Sequence, residues 1–267
     1  ETGPRAGERV VVEPANPCGH CDMCRAGHTN LCPNVRFLGH APVNGGLSTL
    51  MARPQRNLLA VPDSVEGDDV ALLEPLGIGL HALDLGHVRA GQSAGVFGAG
   101  PIGLLLIRAL KAAGAGRVVA TDAKPHRVEA ALASGADEAY LTEVDGLPEG
   151  IDDWDPLDVT FEAAGEDMAL EAANITARRG GRVVIVGIPP TNRHDFTART
   201  AREKGLTLAF SRRMKIEHML RAIELVDHGT VSLDGLISGA YPLSAAARGF
   251  EELVDRSGLK IILKPNP

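Results

Sequence analysis

The chain has 267 residues, a net charge of −7 and a hydrophobic content of 44%. That length suits one large domain or two ordinary ones, and the apolar content is enough for a buried core. The net negative charge and the shortness of the basic clusters do not indicate a nucleic-acid-binding surface, and no apolar run reaches membrane-spanning length. We therefore expect a globular, cytoplasmic protein that binds neither nucleic acid nor membrane.

The chain begins with Glu1 rather than methionine. We therefore expect that its start is missing or processed, so a targeting signal can be neither identified nor excluded. The first recognisable element is a β-like run, GERVVVEP, which ends at Pro14.

All four cysteines follow this run. Cys18, Cys21, Cys24 and Cys32 have the spacing C-x₂-C-x₂-C-x₇-C, in a loop rich in Gly, Asn and Pro. Two-residue gaps let neighbouring thiolates converge on one ion, and Zn²⁺ accepts four such ligands in a tetrahedral arrangement. Because four protein ligands leave no position for water, the spacing predicts a structural zinc site rather than a catalytic one.

Two alternatives use the same cysteines. Disulfide pairing is possible, although the gaps are short for it and nothing else in the chain indicates secretion. An iron–sulfur cluster is suggested by Pro33 after Cys32, but seven residues separate the last two cysteines, against three in the bacterial ferredoxin pattern. His20 and His28 are predicted to be solvated loop residues rather than ligands.

Residues 34–75 contain short apolar runs broken by Asn, Gly and Pro, which is typical of a β-rich domain. From Val70 the pattern becomes helical, over VALLEPLGIGLHALDLG. Glu74 lies inside this apolar segment, where an unpaired carboxylate is costly to bury. Two interpretations stay open: a partly exposed or capping acid, or a residue of a functional site.

A glycine-rich turn, VFGAGPIG over 96–103, joins a strand-like run to a helical one. Strand, G-x-G-x-x-G turn and helix together are typical of dinucleotide binding. Gly98 permits the tight turn, Gly100 lets the backbone approach a pyrophosphate, and Gly103 lets the helix pack on the strand. The pyrophosphate then faces the free N–H groups at the start of the helix.

The same fingerprint places an acid about 20 residues further on, at the end of the next strand. Asp122 closes RVVATD, 19 residues after Gly103. Its carboxylate would accept hydrogen bonds from the adenosine ribose and repel a 2′-phosphate, which predicts NAD rather than NADP. The alternative is that Asp122 caps the helix that starts near Pro125.

Strands and helices alternate from residue 93 onward. Helical stretches over 101–113, 125–134, 167–178 and 197–204 separate six strand-like runs, over 93–98, 117–122, 138–142, 158–165, 181–187 and 206–211. Apolar runs without strict alternation suit strands that are buried on both faces. The sequence therefore predicts an α/β fold with a doubly wound, six-stranded parallel sheet.

The pattern changes after residue 212 to two amphipathic helices and a final strand, over 215–229, 241–258 and 259–265. The second helix is predicted to have Ser244 as its N-cap and to turn Phe250, Leu253 and Val254 inward. We expect these elements to return to the first domain. The predicted division is 1–78, 79–212 and 213–267.

These segments together resemble the zinc-dependent medium-chain dehydrogenases, with the closest likeness to the sorbitol (L-iditol), threonine and butanediol dehydrogenase branch. The resemblance runs in order through PCGHCDMCRAGHTNLCP, LLAVPDSV, EPLGIGLHAL, VFGAGPIG with TD, and YPLSAAARGFEELVD with LKIILKP. It implies a partial GroES-like catalytic domain, a Rossmann NAD-binding domain, and hydride transfer between a secondary alcohol or polyol and NAD. It also implies a homo-oligomer, either a dimer or a tetramer.

The resemblance extends to individual cofactor positions. Residues at positions where the family contacts NAD are Ile102, Arg127, Val186, Gly187 and Ile188, with Arg127 at the adenosine ribose. Phe210 and Ser211 match another cofactor-side stretch, and Lys260 resembles a basic residue near the pyrophosphate. The polyol enzymes carry a substrate-binding Arg at the place of Ser211, whereas here Arg212 and Arg213 are one and two residues away.

In this family a catalytic zinc is held by a Cys and a Gly-His-Glu motif, both upstream of the segment that resembles GERVVVEP. Glu74 matches the family's Glu or Cys near that zinc and its water, which makes it the catalytic candidate. We expect the chain as given to lack the other catalytic ligands and to oxidise alcohols poorly, although it can bind NAD. The alternative function is a truncated NAD-binding protein with a structural zinc and no dehydrogenase activity.

Overall fold

Residues 3–143 and 146–265 are described by a computed structural model of the chain. The fold divides into two compact units, one formed by Glu1–Gly77 with Arg213–Pro267 and the other by Ile78–Arg212. The chain therefore leaves the first unit, builds the second without interruption, and returns.

The first unit begins with short strands on either side of the cysteine-rich segment. Its elements up to the second unit are β1 (Val10–Val12), β2 (Ala15–Asn16), α1 (Asp22–Arg25), β3 (Arg36–Phe37), β4 (Leu58–Ala60) and α2 (Leu73–Gly86). β1 pairs antiparallel with β4, and β2 pairs antiparallel with β3. The helical pattern predicted from Val70 is confirmed, with a 3₁₀ helix over Gly67–Leu72 leading into α2, and the boundary between the two units falls within α2.

The second unit alternates strands and helices throughout. In chain order these are β5 (Ser93–Phe97), α3 (Pro101–Ala112), β6 (Arg117–Asp122), α4 (Pro125–Ala133), β7 (Glu138–Leu141), β8 (Leu157–Glu162), α5 (Asp167–Thr176), β9 (Ala177–Ile185), α6 (Ala198–Lys204) and β10 (Thr207–Phe210). The strand order is β10-β9-β8-β5-β6-β7, and every neighbouring pair is parallel. The predicted doubly wound, six-stranded sheet is confirmed.

This order creates a topological switch point between β5 and β8, because the chain leaves β5 toward β6 and later returns to its other side. In open α/β sheets, ligands bind at such a point, beyond the carboxyl ends of the strands. The buried core consists mostly of Leu, Ile, Val and Ala, and fully buried Phe97 and Phe161 are its largest side chains. Along α3, residues 103–107, 109 and 110 are all buried.

The chain then returns to the first unit with α7 (Ile216–Asp227), β11 (Ile237–Pro242), α8 (Ala246–Asp255) and β12 (Lys260–Lys264). β11 and β12 are parallel neighbours. None of the helices in the described part of the chain is long and apolar enough to cross a membrane.

Two expectations for α8 were wrong. A 3₁₀ turn over Leu243–Ala245 precedes the helix, so Ala245 rather than Ser244 is its N-cap. The side chains of Phe250, Leu253 and Val254 are exposed rather than turned inward. The physical reason is that α8 approaches the strands through Gly249, where a Cβ would lie 3.0 Å from the side chain of Leu263 on β12.

One carboxylate of the first unit is almost completely buried. Glu13 is 4% exposed, and its Oε1 accepts the N–H of Ala15 at 2.8 Å, whereas Oε2 has no hydrogen-bond partner among the described residues. Burial, together with the nearby carboxylates of Glu74 and Glu217, raises the pKa of Glu13 to about 7. A cavity of about 200 Å³ lies beside it. The ionised form of Glu13 is therefore poorly compensated.

We predict that Glu13→Gln stabilises the protein more at pH 8 than at pH 5. A carboxyl with a raised folded-state pKa contributes its full stability at low pH and loses it as the pH rises through that pKa. The free energy of unfolding of the variant, relative to the parent, should therefore increase by up to about 3 kcal/mol across this range. Urea denaturation at the two pH values measures it.

The control is Glu66→Gln, at an exposed position. The remaining titratable groups are the same in the compared proteins, so their contributions cancel in the difference between the unfolding free energies. A relative stability of Glu13→Gln that does not change between pH 5 and pH 8 would contradict the prediction.

Candidate functional site

The four cysteines converge on one point in the first unit. The Sγ atoms of Cys18, Cys21, Cys24 and Cys32 all lie within 4.8 Å of one another, and those of Cys21 and Cys32 are 3.9 Å apart. Four sulfurs bound tetrahedrally at about 2.3 Å from zinc are about 3.8 Å apart. All four cysteines are free thiols. The donor set and its spacing therefore fit one tetrahedral zinc ion.

The local backbone favours thiolates at this point. The backbone N–H groups of His20 and Cys21 hydrogen-bond the sulfur of Cys18 and lower its pKa to about 6. The N–H of Cys18 in turn donates to the Sγ of Cys32 at 3.4 Å. Burial and the neighbouring thiols raise the pKa of Cys24 to about 12, so a full set of thiolates requires a cation to balance it. His20 and His28 are exposed and lie outside the cluster.

Glu74 lies in the first turn of α2, next to the fully buried Leu73 and Leu76. Burial raises its pKa, and the positive charge of Lys260 on β12 opposes that shift. A catalytic zinc needs about three protein ligands and an open position. Over residues 3–143 and 146–265, the cysteine cluster is the only group of three or more Cys, His, Asp or Glu whose ligand atoms converge. The described residues around Glu74 therefore do not fit a catalytic zinc.

The glycine turn lies in the second unit, where β5 leads into α3. A Cβ on Gly103 would lie 1.9 Å from the carbonyl oxygen of Gly98, and Gly98 itself has a φ of +111°. Above Gly100 the space is open, since the nearest atom to an added Cβ is Nη1 of Arg127 at 4.0 Å. No side chain caps the N-terminus of α3, which begins with Pro101. The turn can thus receive a phosphate close to its backbone.

Asp122 ends β6 directly beside this turn. Its Oδ2 accepts the N–H of Ala99 at 2.8 Å, and its Oδ1 accepts the N–H of Lys124 at 3.0 Å. The N-cap of α4 is Lys124, without a side-chain hydrogen bond, so the capping interpretation of Asp122 is wrong. Arg127 brings Nη1 to 3.8 Å from Oδ2 of Asp122, while its buried Nε has no partner among the described residues. A glycine turn that is open to a phosphate, with the N–H donor at Nε of Arg127 beside it, fits a dinucleotide.

The remaining cofactor candidates also lie at the carboxyl ends of the strands. Val186, Gly187 and Ile188 follow β9, and the side chain of Ile188 is exposed. Phe210 ends β10 and is exposed, and the N–H of Ser211 donates to the carbonyl of Ile185 at 2.8 Å. One edge of the sheet therefore carries the predicted cofactor residues, whereas Lys260 belongs to the first unit.

Sequence reasoning missed one carboxylate at the same edge. Glu162 is the last residue of β8, with a fully buried side chain. Its signal was a charged residue closing the apolar run DVTFE, the same kind of signal that drew attention to Glu74.

Comparison with known proteins gives matches along most of the chain. Residues 1–63 match the family described as the alcohol dehydrogenase GroES-like domain, and residues 101–228 match the family described as zinc-binding dehydrogenase.

Three relatives illustrate the likeness. Sorbitol dehydrogenase of Bacillus subtilis (strain 168) is 33% identical over 98% of this chain and 75% of its own length. The structure of 2R,3R-butanediol dehydrogenase from Bacillus subtilis has a TM-score of 0.85 at 30% identity, covering 98% of this chain and 75% of that one. A zinc-binding dehydrogenase from Sinorhizobium meliloti 1021, solved with NADP, has a TM-score of 0.86 at 26% identity, covering 97% and 77%.

The sheet order, the glycine turn and these matches agree with one another. The chain therefore belongs to the zinc-dependent medium-chain dehydrogenase family, in its sorbitol dehydrogenase-like branch.

Proposed function

We propose that this protein is an oxidoreductase that transfers a hydride between a secondary alcohol or polyol and NAD. In the oxidising direction the alcohol carbon gives a hydride to NAD⁺ and the hydroxyl loses a proton, which yields a carbonyl compound and NADH. The observation that carries the proposal is the glycine turn at the switch point, with Asp122 hydrogen-bonded to the turn itself.

The substrate class is supported by the relatives rather than by a pocket. Sorbitol and 2R,3R-butanediol, named in two of the relatives, both carry secondary hydroxyl groups. Arg213, one of two candidates for a polyol-binding Arg, lies over the ring of Phe37 and donates to the carbonyl of Asn30. We therefore propose the secondary-alcohol class and assign no particular polyol. Glu74, half-buried and with a raised pKa, is the proposed proton-handling carboxylate.

The residues of the second unit would each serve one part of the cofactor. Gly98, Gly100 and Gly103 leave room for the pyrophosphate at the start of α3, where Ile102 is half-buried. Asp122 would accept hydrogen bonds from the adenosine ribose, with Arg127 beside it. Residues 186–188 would line the nicotinamide half. The bound cofactor supplies the hydride chemistry, and the protein supplies binding and orientation.

We further propose that the four cysteines hold a structural zinc ion. Such an ion would tie the loop over 18–24 to Cys32 and contribute folding energy to the first unit. A homo-oligomer is supported by β10 at the edge of the sheet and by the exposed side chain of Phe210 on it.

The first prediction concerns the metal. The purified protein should contain about one zinc ion per chain. Cys24→Ser removes one of four ligands, so it should lose the zinc and lower the thermal stability of the first unit. Elemental analysis and thermal unfolding measure both effects, with Cys24→Ser compared against His28→Ser, an exposed loop change. Iron in place of zinc, or zinc retained by Cys24→Ser, would refute the assignment.

The second prediction concerns cofactor choice. Asp122→Asn keeps the shape of the side chain and an acceptor for the N–H of Ala99 but removes the charge. The affinity for NADP relative to NAD should therefore rise about tenfold, since a carboxylate no longer faces the 2′-phosphate. Calorimetric titration of parent and variant with both cofactors measures the ratio. A parent protein that binds NADP as tightly as NAD would contradict the NAD preference.

The third prediction tests the reaction. The described residues around Glu74 do not fit a catalytic zinc, so residues 1–267 with NAD should form NADH from polyols or simple secondary alcohols only slowly. Glu74→Gln should lower kcat by about a hundredfold while leaving NAD binding within experimental error, because Glu74 lies outside the glycine turn. NAD binding without turnover of any alcohol or ketone tested would favour the alternative, an NAD-binding protein without dehydrogenase activity.

A further inference from the structure

Glu162 holds two loops of the second unit at once. Its Oε1 accepts the N–H groups of Ala164 and Gly165, at 2.7 and 2.6 Å. Its backbone carbonyl accepts the N–H groups of Val186 and Gly187, at 2.8 and 3.1 Å. The loop over 163–165, which follows β8, and the loop over 186–188, which follows β9, are thus both anchored on one residue.

The two loops also touch each other without intervening side chains. A Cβ on Gly187 would lie 2.2 Å from the backbone nitrogen of Gly165, and a Cβ on Gly165 would lie 2.7 Å from the carbonyl oxygen of Ile188. On the other side, a Cβ on Gly98 would lie 2.6 Å from the backbone nitrogen of Ala164. A displacement of either loop therefore has to be shared by the other.

The second oxygen of Glu162 has a different environment. Oε2 is buried without a hydrogen-bond partner among the described residues, and it would lie 2.5 Å from a Cβ on Gly187. The group facing it is Nε2 of His194, 3.9 Å away and likewise buried without a partner. Nδ1 of His194 is 3.2 Å from Oδ1 of Asp167 at the start of α5. His194 thus stands between two carboxylates, one fully buried and one half-exposed.

Burial raises the pKa of Glu162, and the loop N–H groups together with His194 oppose that shift. The hydrogen bonds that close the loop over 163–165 use only Oε1 of Glu162. A buried carboxylate oxygen without a hydrogen bond is costly, and the polar atom that faces Oε2 is Nε2 of His194, 3.9 Å away. The additional pairing with His194 lies on the side of Gly187, toward the loop proposed to line the nicotinamide.

We propose that Glu162 and His194 form a positioning pair that sets the loop over 186–188 for the nicotinamide half of NAD. This inference rests on the proposed function. Neither residue is assigned a contact with the reacting atoms. Glu162 acts through the backbone of Gly187, and His194 acts by holding the second oxygen of Glu162 in place.

The test compares NAD with ADP-ribose, which lacks the nicotinamide. Glu162→Gln keeps an oxygen for the N–H groups of Ala164 and Gly165 but places an amide NH₂ where Oε2 faced Gly187 and His194. We expect the variant to bind NAD about tenfold more weakly and to bind ADP-ribose within about twofold of the parent. Calorimetric titration of each ligand gives the ratio, with no requirement for turnover.

His194→Gln should change the same ratio in the same direction by a smaller factor, about threefold. The matched control is Glu171→Gln. Oε2 of Glu171 accepts the N–H of Thr197 at 2.8 Å, so it holds the segment that carries His194, yet it has no hydrogen bond to either loop. Its ratio should equal that of the parent. If Glu162→Gln does not fold, the comparison of His194→Gln with Glu171→Gln decides the question.

Equal weakening of NAD and ADP-ribose, or an unchanged ratio in both Glu162→Gln and His194→Gln, would overturn the positioning role. A parent protein that binds ADP-ribose and NAD but oxidises no alcohol would leave this inference standing and the proposed reaction refuted. A parent protein that binds neither ligand would refute the cofactor site itself and the pair with it.

Discussion

The second unit depends on a close backbone approach where β5 turns into α3. The carbonyl of Gly98 lies where a Cβ of Gly103 would have to be, so any side chain there pushes the helix off the strand. That approach brings the start of α3 to the carboxyl edge of the sheet with its N–H groups uncovered. Gly98 and Gly103 are therefore a packing requirement first, and the proposed phosphate site is a consequence of that packing.

A close backbone approach is also required between the loops that follow β8 and β9. Gly165 and Gly187 allow the loops after β8 and β9 to contact each other through backbone atoms alone. Where the two loops meet at these glycines, no apolar side chain lies between them to fix their positions. The buried carboxylates take over that task, because each can accept two N–H groups and thereby fix a loop.

The sequence predicts most of the second unit because its signal is strong and local. Long apolar runs separated by helical stretches leave few alternatives to a parallel sheet, and the boundaries of β6 agree to the residue. The predictions fail where a pattern shows which residues share one face of a helix but not what that face packs against. The periodicity of α8 shows that Phe250 and Leu253 share a face, but packing through Gly249 leaves that face exposed in the described structure.

The cysteine cluster and the two carboxylates at the sheet edge, Asp122 and Glu162, differ in how much of their position a sequence pattern specifies. Cysteine spacing carries information, since two-residue gaps constrain where the sulfurs can meet, and the sulfurs do meet. A single carboxylate has no spacing. Asp122 was recognised because the glycine turn defines where to look, whereas Glu162 belongs to no pattern of comparable length.

Asp122 and Glu162 nevertheless have the same structural role on the two strands that flank β5. Asp122 ends β6 and accepts the N–H of Ala99 in the glycine turn, and Glu162 ends β8 and accepts the N–H of Ala164 in the adjoining loop. β5 lies between these two strands, so its turn is flanked by two carboxylates that both accept backbone N–H groups. Each acid accepts backbone N–H groups of the loop beside it and so fixes that loop. The donors left at this edge include the uncapped N–H groups at the start of α3 and Nε of Arg127, and these are the groups proposed to meet a dinucleotide.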